Sequence, residues 1–202
     1  MDTERYSENV FINCPFDKEY LILRDALLFA IFDCGFIPRC ALEEDDSGNV
    51  RFNKIQKIIA ECRFGVHDIS RTELDDQTQT PRFNMPLELG VFLGAKHFGN
   101  KRQKGKVCLV LDREQYRYQA FISDIAGHDI RSHGNKPEKV ITHIRDWLNA
   151  ASGRRTIPGG RAIIARWRQF EADLPVMCEK FSIEIDELTY NDRTNFISEW
   201  LK

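Results

Sequence analysis

The stretch "KVCLVLD", residues 106–112, is apolar from Val107 to Leu111 and reaches an acid only at its end. A run with no polar alternation suits a strand covered on both faces, the hallmark of parallel α/β sheets. The preceding sequence repeats the pattern. "FGVHDIS" (64–70) reads as a third strand, and "NVFINC" (9–14), ended by Pro15, as a first. "FIPRCAL" (36–42) reads as a second, with Pro38 pushing it to a sheet edge. Between them lie helical segments. Asp17 can cap "KEYLILRDALLFAIFDCG", whose Leu21, Leu23, Leu27, Leu28, Ile31 and Phe32 form one broad face, and Gly35 stops it. "VRFNKIQKIIAEC" (50–62) sets Phe52, Ile55, Ile58 and Ile59 on a buried face, and "NMPLELG" (84–90) opens a third helix. The order predicts an α/β fold: an open parallel sheet of four to five strands with helices on both faces, flavodoxin-like. The fifth strand falls around "GHDIRSHG" (127–134), before a helix at 136–152.

Residues 1–152 make up this α/β domain, and 153–202 a C-terminal helical extension after the linker "SGRRTIPGG". The extension places Ile163, Ile164, Trp167 and Phe170 on one helical face and Phe196, Ile197, Trp200 and Leu201 on another. Such surface packs either on the 136–152 helix or between subunits. The second option predicts a homo-oligomer with Trp167 or Trp200 in the contact. A net charge of -2 argues against wrapping nucleic acid. No apolar run reaches membrane-spanning length, and the polar opening "MDTERYSEN" does not read as a signal peptide. Six cysteines without a CxxC pair, mostly in apolar segments, read as reduced core residues of a cytoplasmic protein. The chain has no P-loop, GxGxxG or HExxH, and its five histidines lack ligand spacing, so no metal or resident cofactor is expected.

Ligands of open parallel sheets bind beyond the carboxyl ends of the strands. The first such end supplies Asn13, Pro15 and Phe16; the second Arg39, Glu43 and Glu44. The third supplies His67, Asp68, Ser70 and Arg71, and the fourth Asp112, Arg113 and Tyr116. Tyr116 and Tyr118 with Arg117 between them suit a base or a phosphate, or else a solvated helix start. Arg82, Asn84 and Glu88 sit where the third helix begins. Arg39, Arg71, Arg82 and Arg117 are therefore candidate phosphate ligands. Glu88, read as a first-turn residue, would gain from the helix dipole alone. Yet it lies among Pro86, Leu87, Leu89 and Gly90, which offer a carboxylate little water unless it lines a cleft. Gly90 and Gly94, one turn apart, would let the helix approach its neighbours closely. Asp68 and Glu88 at one rim would suit chemistry at an anomeric carbon.

In their order, "VFINCPF", "HDIS", "NMPLELG" and "KVCLVLD" resemble the nucleoside 2-deoxyribosyltransferase superfamily and the related Toll/interleukin-1 receptor (TIR) domains, over roughly residues 9 to 150. The Glu-Leu-Gly helix after an Asp-ended strand is the specific part of the likeness. It implies Glu88 as nucleophile or oxocarbenium-stabilising carboxylate and Asp68 as the sugar-hydroxyl or proton partner. Asn13 and Phe16 would line the base and ribose pocket, and Asn84 would help place the sugar. The transferases usually carry a further acid shortly before the Glu. Here "TPRFNMP" has Arg82 and Asn84 instead, which favours a phosphate-bearing substrate. Bacterial relatives often cleave NAD or nucleotides at the N-glycosidic bond, commonly as antiviral effectors, and some act only with an activating partner. The expectation is an N-glycosidase for which NAD or a nucleotide is substrate. A non-catalytic nucleotide-binding module and a pure interaction domain remain as alternatives.

Overall fold

In the computed structural model, which describes residues 5–74 and 79–202, every strand read from the sequence is present. The first residues of the polar opening and the middle of the loop before Arg82 lie outside the described residues. The strands are β1 (Asn9–Asn13), β2 (Ile37–Arg39), β3 (Phe64–Asp68), β4 (Val107–Asp112) and β5 (Ile130–Ser132). They pair in parallel in the order β2-β1-β3-β4-β5, which is the flavodoxin-like order. Pro38 lies on the edge strand β2, where its missing N–H costs no ladder bond on the outer side. The apolar run at 107–112 is interior, beside the central β3, all of whose residues are buried.

The helices are α1 (Leu21–Asp33), α2 (Arg51–Glu61), α3 (Asn84–Phe98), α4 (Lys101–Lys104), α5 (Pro137–Ser152), α6 (Gly160–Glu179) and α7 (Tyr190–Trp200). Strand alternation sorts them into layers. Val10, Ile12, Phe64, Val66, Leu109 and Leu111 face the core of α1 and α5. Phe11 meets Ile55, Ile58, Ile59 and Phe92 of α2 and α3 on the opposite face. Lys106 is buried, and its Nζ donates to Ile59 O at 2.5 Å and to Cys62 O, satisfying carbonyls at the end of α2. All six cysteines are free. Among the described residues no helix is long and apolar enough to cross a membrane.

Four expectations change. The α2 face consists of Ile55, Ile58 and Ile59, while Phe52 in its first turn is 37% exposed. Gly90 and Gly94 face open space: a Cβ at either would meet nothing within 4 Å, so they permit no close approach within the chain. Helix α1 is not buried on one face only, for residues 23–31 are buried all round. The reason is the tail. Helices α6 and α7 form a second layer over α1 and α5, and Ile163, Trp167, Phe170, Phe196 and Ile197 join the same core as the sheet. Phe170 and Trp200 pack on the Phe29 ring with centroids 5.6 and 5.8 Å away. Arg193 of α7 reaches the buried Asp25 of α1 at 3.0 Å, and Trp200 Nε1 donates to Asp173 of α6 at 3.0 Å. Of the two options, packing on the 136–152 helix is the one these contacts show: most of the apolar surface that motivated a homo-oligomer is covered within the chain, with Trp167 buried and Ile164, Trp200 and Leu201 half-buried.

If the tail belongs to the core, Phe170→Ala should cost about 3–5 kcal/mol of unfolding free energy. A urea titration checks this; a loss below about 1 kcal/mol would show that α6 is only draped on the surface.

Candidate functional site

The sheet reverses its winding between β1 and β3, and their carboxyl ends part there. Asn13 and His67, the last paired residues, face each other in register. A cavity of about 420 Å3, within the usual range for small-molecule sites, opens above them. The exit of β1 lines it with Asn13, Cys14, Pro15 and Phe16. The start of α3 adds Asn84, Met85 and Glu88, and Arg51, Arg71 and Arg82 converge on the same space.

Glu88 lies one turn deeper in α3 than its sequence position suggested, with Asn84 as the first helical residue. The dipole's benefit fades beyond the first turn. Burial raises its pKa to about 7, against the opposing pull of Arg51. The group is therefore poised between its acid and its carboxylate near neutrality.

Asp68 behaves in the opposite way. It is wholly buried and does not line the cavity of Glu88. Its carboxylate accepts from Tyr20 Oη at 2.6 Å and from Ser70 N at 2.9 Å, and His133 Nε2 stands 3.1 Å away. His133 Nδ1 accepts from Asn135 N at 3.0 Å, so the ring's proton belongs on Nε2, the nitrogen nearer Asp68. Burial pushes the Asp68 pKa up, but His133, Ser70 and Tyr20 outweigh it and hold it below the ordinary carboxylate value. The direct sugar contact expected of Asp68 is corrected: its oxygens are engaged with the protein, and it holds strand-end loops in place.

The arginines divide into two pairs. Arg39 is locked to Glu43 through Nε and Nη2 at 2.6–2.9 Å, with Glu61 at 3.3 Å, and stands away from the cavity. Arg117 spends its guanidinium on Asp112 (2.8 Å), Ile69 O (2.7 Å) and Thr72 (3.0 Å), tying the loop after β3 to the end of β4. Both are structural ties, which corrects their reading as phosphate ligands. Tyr116 adopts a left-handed backbone, is 62% exposed and does not line the cavity. Tyr118 is buried beside Ile69, Met85 and Leu89. Arg71 and Arg82 do reach the cavity, and Arg71 also pairs with Asp17 (3.1 Å) and Glu19. Ser70 lines a neighbouring cavity of about 210 Å3 with Tyr20, Arg71 and Arg113.

Arg51 was not singled out in the sequence. As the first residue of α2 it overhangs the strand ends, and helix starts on that side of a parallel sheet are the signal that finds it. Tyr20 and His133 were also missed as partners of Asp68. Compared with protein-family models, curated proteins and solved structures, the chain matches none.

Asp68→Asn should destabilise the fold by roughly 2–4 kcal/mol, because an amide cannot accept from all three donors. Since folding lowers the Asp68 pKa, its stabilisation is complete above the unfolded value of about 3.9 and drains away as pH falls through the folded one. Denaturant titrations of both chains should show a constant gap from pH 8 to 5 that narrows only below about pH 4. A gap already closing at pH 6 would contradict the assignment.

Proposed function

We propose that the chain is an N-glycosidase that breaks the base–ribose bond of NAD or a related nucleotide. The observation that carries this is Glu88, a carboxylate with a pKa near 7 in a nucleotide-sized cavity shared with Arg51, Arg71 and Arg82. Guanidinium forks match phosphate oxygens, and a carboxylate beside a sugar can meet the positive charge that develops at C1′. As the C1′–N bond breaks, its electron pair leaves with the base. Nicotinamide departs neutral, since its ring nitrogen was cationic, so Glu88 must act ionised. It stabilises or captures the oxocarbenium carbon, and water then supplies the hydroxyl at C1′ while releasing a proton. The free cysteines suit a cytoplasmic setting, and the resemblance to bacterial glycosidases adds a role in antiviral defence.

A second reading is favoured by the withdrawal of Asp68, which leaves Glu88 without a second carboxylate from β3. In that reading the cavity binds a nucleotide and cleaves nothing. Incubation with NAD, NADP and a nucleotide panel, with chromatography for free base, separates the two. Release of base supports the enzyme; tight binding without release supports the sensor.

For the enzyme, Glu88→Gln should reduce base release by at least 10²–10³-fold with the fold intact. Activity requires the carboxylate, so kcat/KM should rise about tenfold per pH unit up to about pH 7 and level above it. Arg51→Ala removes the cation that restrains the Glu88 pKa, so the rising limb should move to higher pH. A limb left in place would detach Arg51 from Glu88. Calorimetry at matched salt should also find a nucleotide bound at least tenfold more tightly than its nucleoside; equal affinities would remove the phosphate role of the arginines.

A further inference from the structure

Asn13 ends β1 on the floor of the cavity and is itself buried. Its side-chain amide is held by two partners. Nδ2 donates to Met85 O at 2.8 Å, and Nδ2 also stands 3.1 Å from His67 Nδ1. The amide has two N–H donors, and these two acceptors use both. The opposite orientation would set Oδ1 against the Met85 carbonyl, acceptor on acceptor, at 2.8 Å.

His67 secures this arrangement. It is fully buried, and the burial, with Lys106 nearby, lowers its pKa to about 3, so it stays neutral. With Nδ1 accepting, its proton is on Nε2. That nitrogen has no hydrogen-bond partner among the described residues and belongs to a ring packed edge-on against Phe92, centroids 4.9 Å apart. The remaining amide atom, Asn13 Oδ1, accepts no hydrogen bond among the described residues, while its residue lines the cavity.

We infer that Asn13 Oδ1 is a fixed hydrogen-bond acceptor in the cavity floor, and that it selects ligands presenting a sugar hydroxyl there. The ligand class is a phosphorylated ribose, preferred over its 2′- or 3′-deoxy form. The placement follows from α3: Asn13 grips Met85, and Glu88 follows three residues later, a rise of about 4.5 Å along the helix. With C1′ at Glu88, as in the proposed function on which this inference rests, the neighbouring ring hydroxyls are the groups that come within reach of Asn13. A buried acceptor left unpaired is costly, so a ligand lacking the hydroxyl is rejected.

The test is calorimetry on the full chain with adenosine 5′-diphosphate and its 2′-deoxy and 3′-deoxy forms. The wild-type chain should bind one deoxy form about tenfold more weakly than the ribonucleotide. In Asn13→Ala, the ribonucleotide should fall to the level of that deoxy form and the gap should close to within twofold. Circular dichroism monitors the fold of the variant, and the wild-type comparison stands without it. Equal wild-type affinities for all three nucleotides would overturn the inference while leaving the nucleotide reading in place. So would discrimination that persists in a folded Asn13→Ala. Failure of all three to bind the wild-type chain would overturn the nucleotide reading, and this inference with it.

Discussion

A carboxylate removed from water must find donors, and at the end of β3 that requirement governs the upper side of the sheet. Asp68 takes a hydroxyl from Tyr20 at the entry of α1, a backbone N–H from Ser70 in its own exit loop, and the imidazole of His133 beyond β5. Three segments distant in sequence therefore meet at one buried charge. Unpaired, that charge would cost several kcal/mol, so the loops hold their places because their donors are committed. Arg117 does similar work one strand over, fastening the 69–72 loop to Asp112. The cavity of Glu88 is the space these ties leave between β1, α2 and α3.

Asp68 and Glu88 show how environment separates two chemically similar groups. Both lose water, which raises the pKa of any carboxylate. Asp68 recovers the loss through hydrogen bonds to its charged form and ends below its ordinary value. Glu88 has only the more distant Arg51 to offset burial and ends near 7. The first is suited to permanent charge and fixed geometry. The second can change state near neutral pH, which suits a group that acts on a ligand.

The fold was largely legible because its signals are local and periodic. Apolar runs at 9–13, 64–68 and 107–112 mark buried strands wherever they occur, and Pro38 marks an edge whatever its partner. Glu88 was legible too, through a carboxylate misplaced among apolar neighbours. What escaped depends on side-chain pairing that a residue's place in the chain does not disclose. Arg39 and Arg117 looked like ligand residues by position, but neither position reveals that Glu43 and Asp112 stand within hydrogen-bond reach. Periodicity marked the tail helices as amphipathic without saying what they cover. The clue lay in α1, where Leu23 and Ala26–Ile31 are too uniformly apolar for a helix with one face in water. That surplus and the apolar faces of α6 and α7 are halves of one packing problem.

The cavity's polar groups are unequal in what they can change. Asn13 is held by a backbone carbonyl and a neutral histidine, so its acceptor faces the ligand at any physiological pH. Arg71 already bonds Asp17 and Glu19, and a phosphate that engages it must share it with them. Arg51 is coupled to Glu88 itself. An anion drawn onto Arg51 would screen the one cation that lowers the Glu88 pKa, shifting that carboxyl further towards its neutral acid. Binding and ionisation thus oppose each other through Arg51, whereas through Arg71 or Arg82 they need not. A ligand that keeps Glu88 ionised is one whose phosphates settle on the Arg71 and Arg82 side and leave Arg51 to the carboxylate.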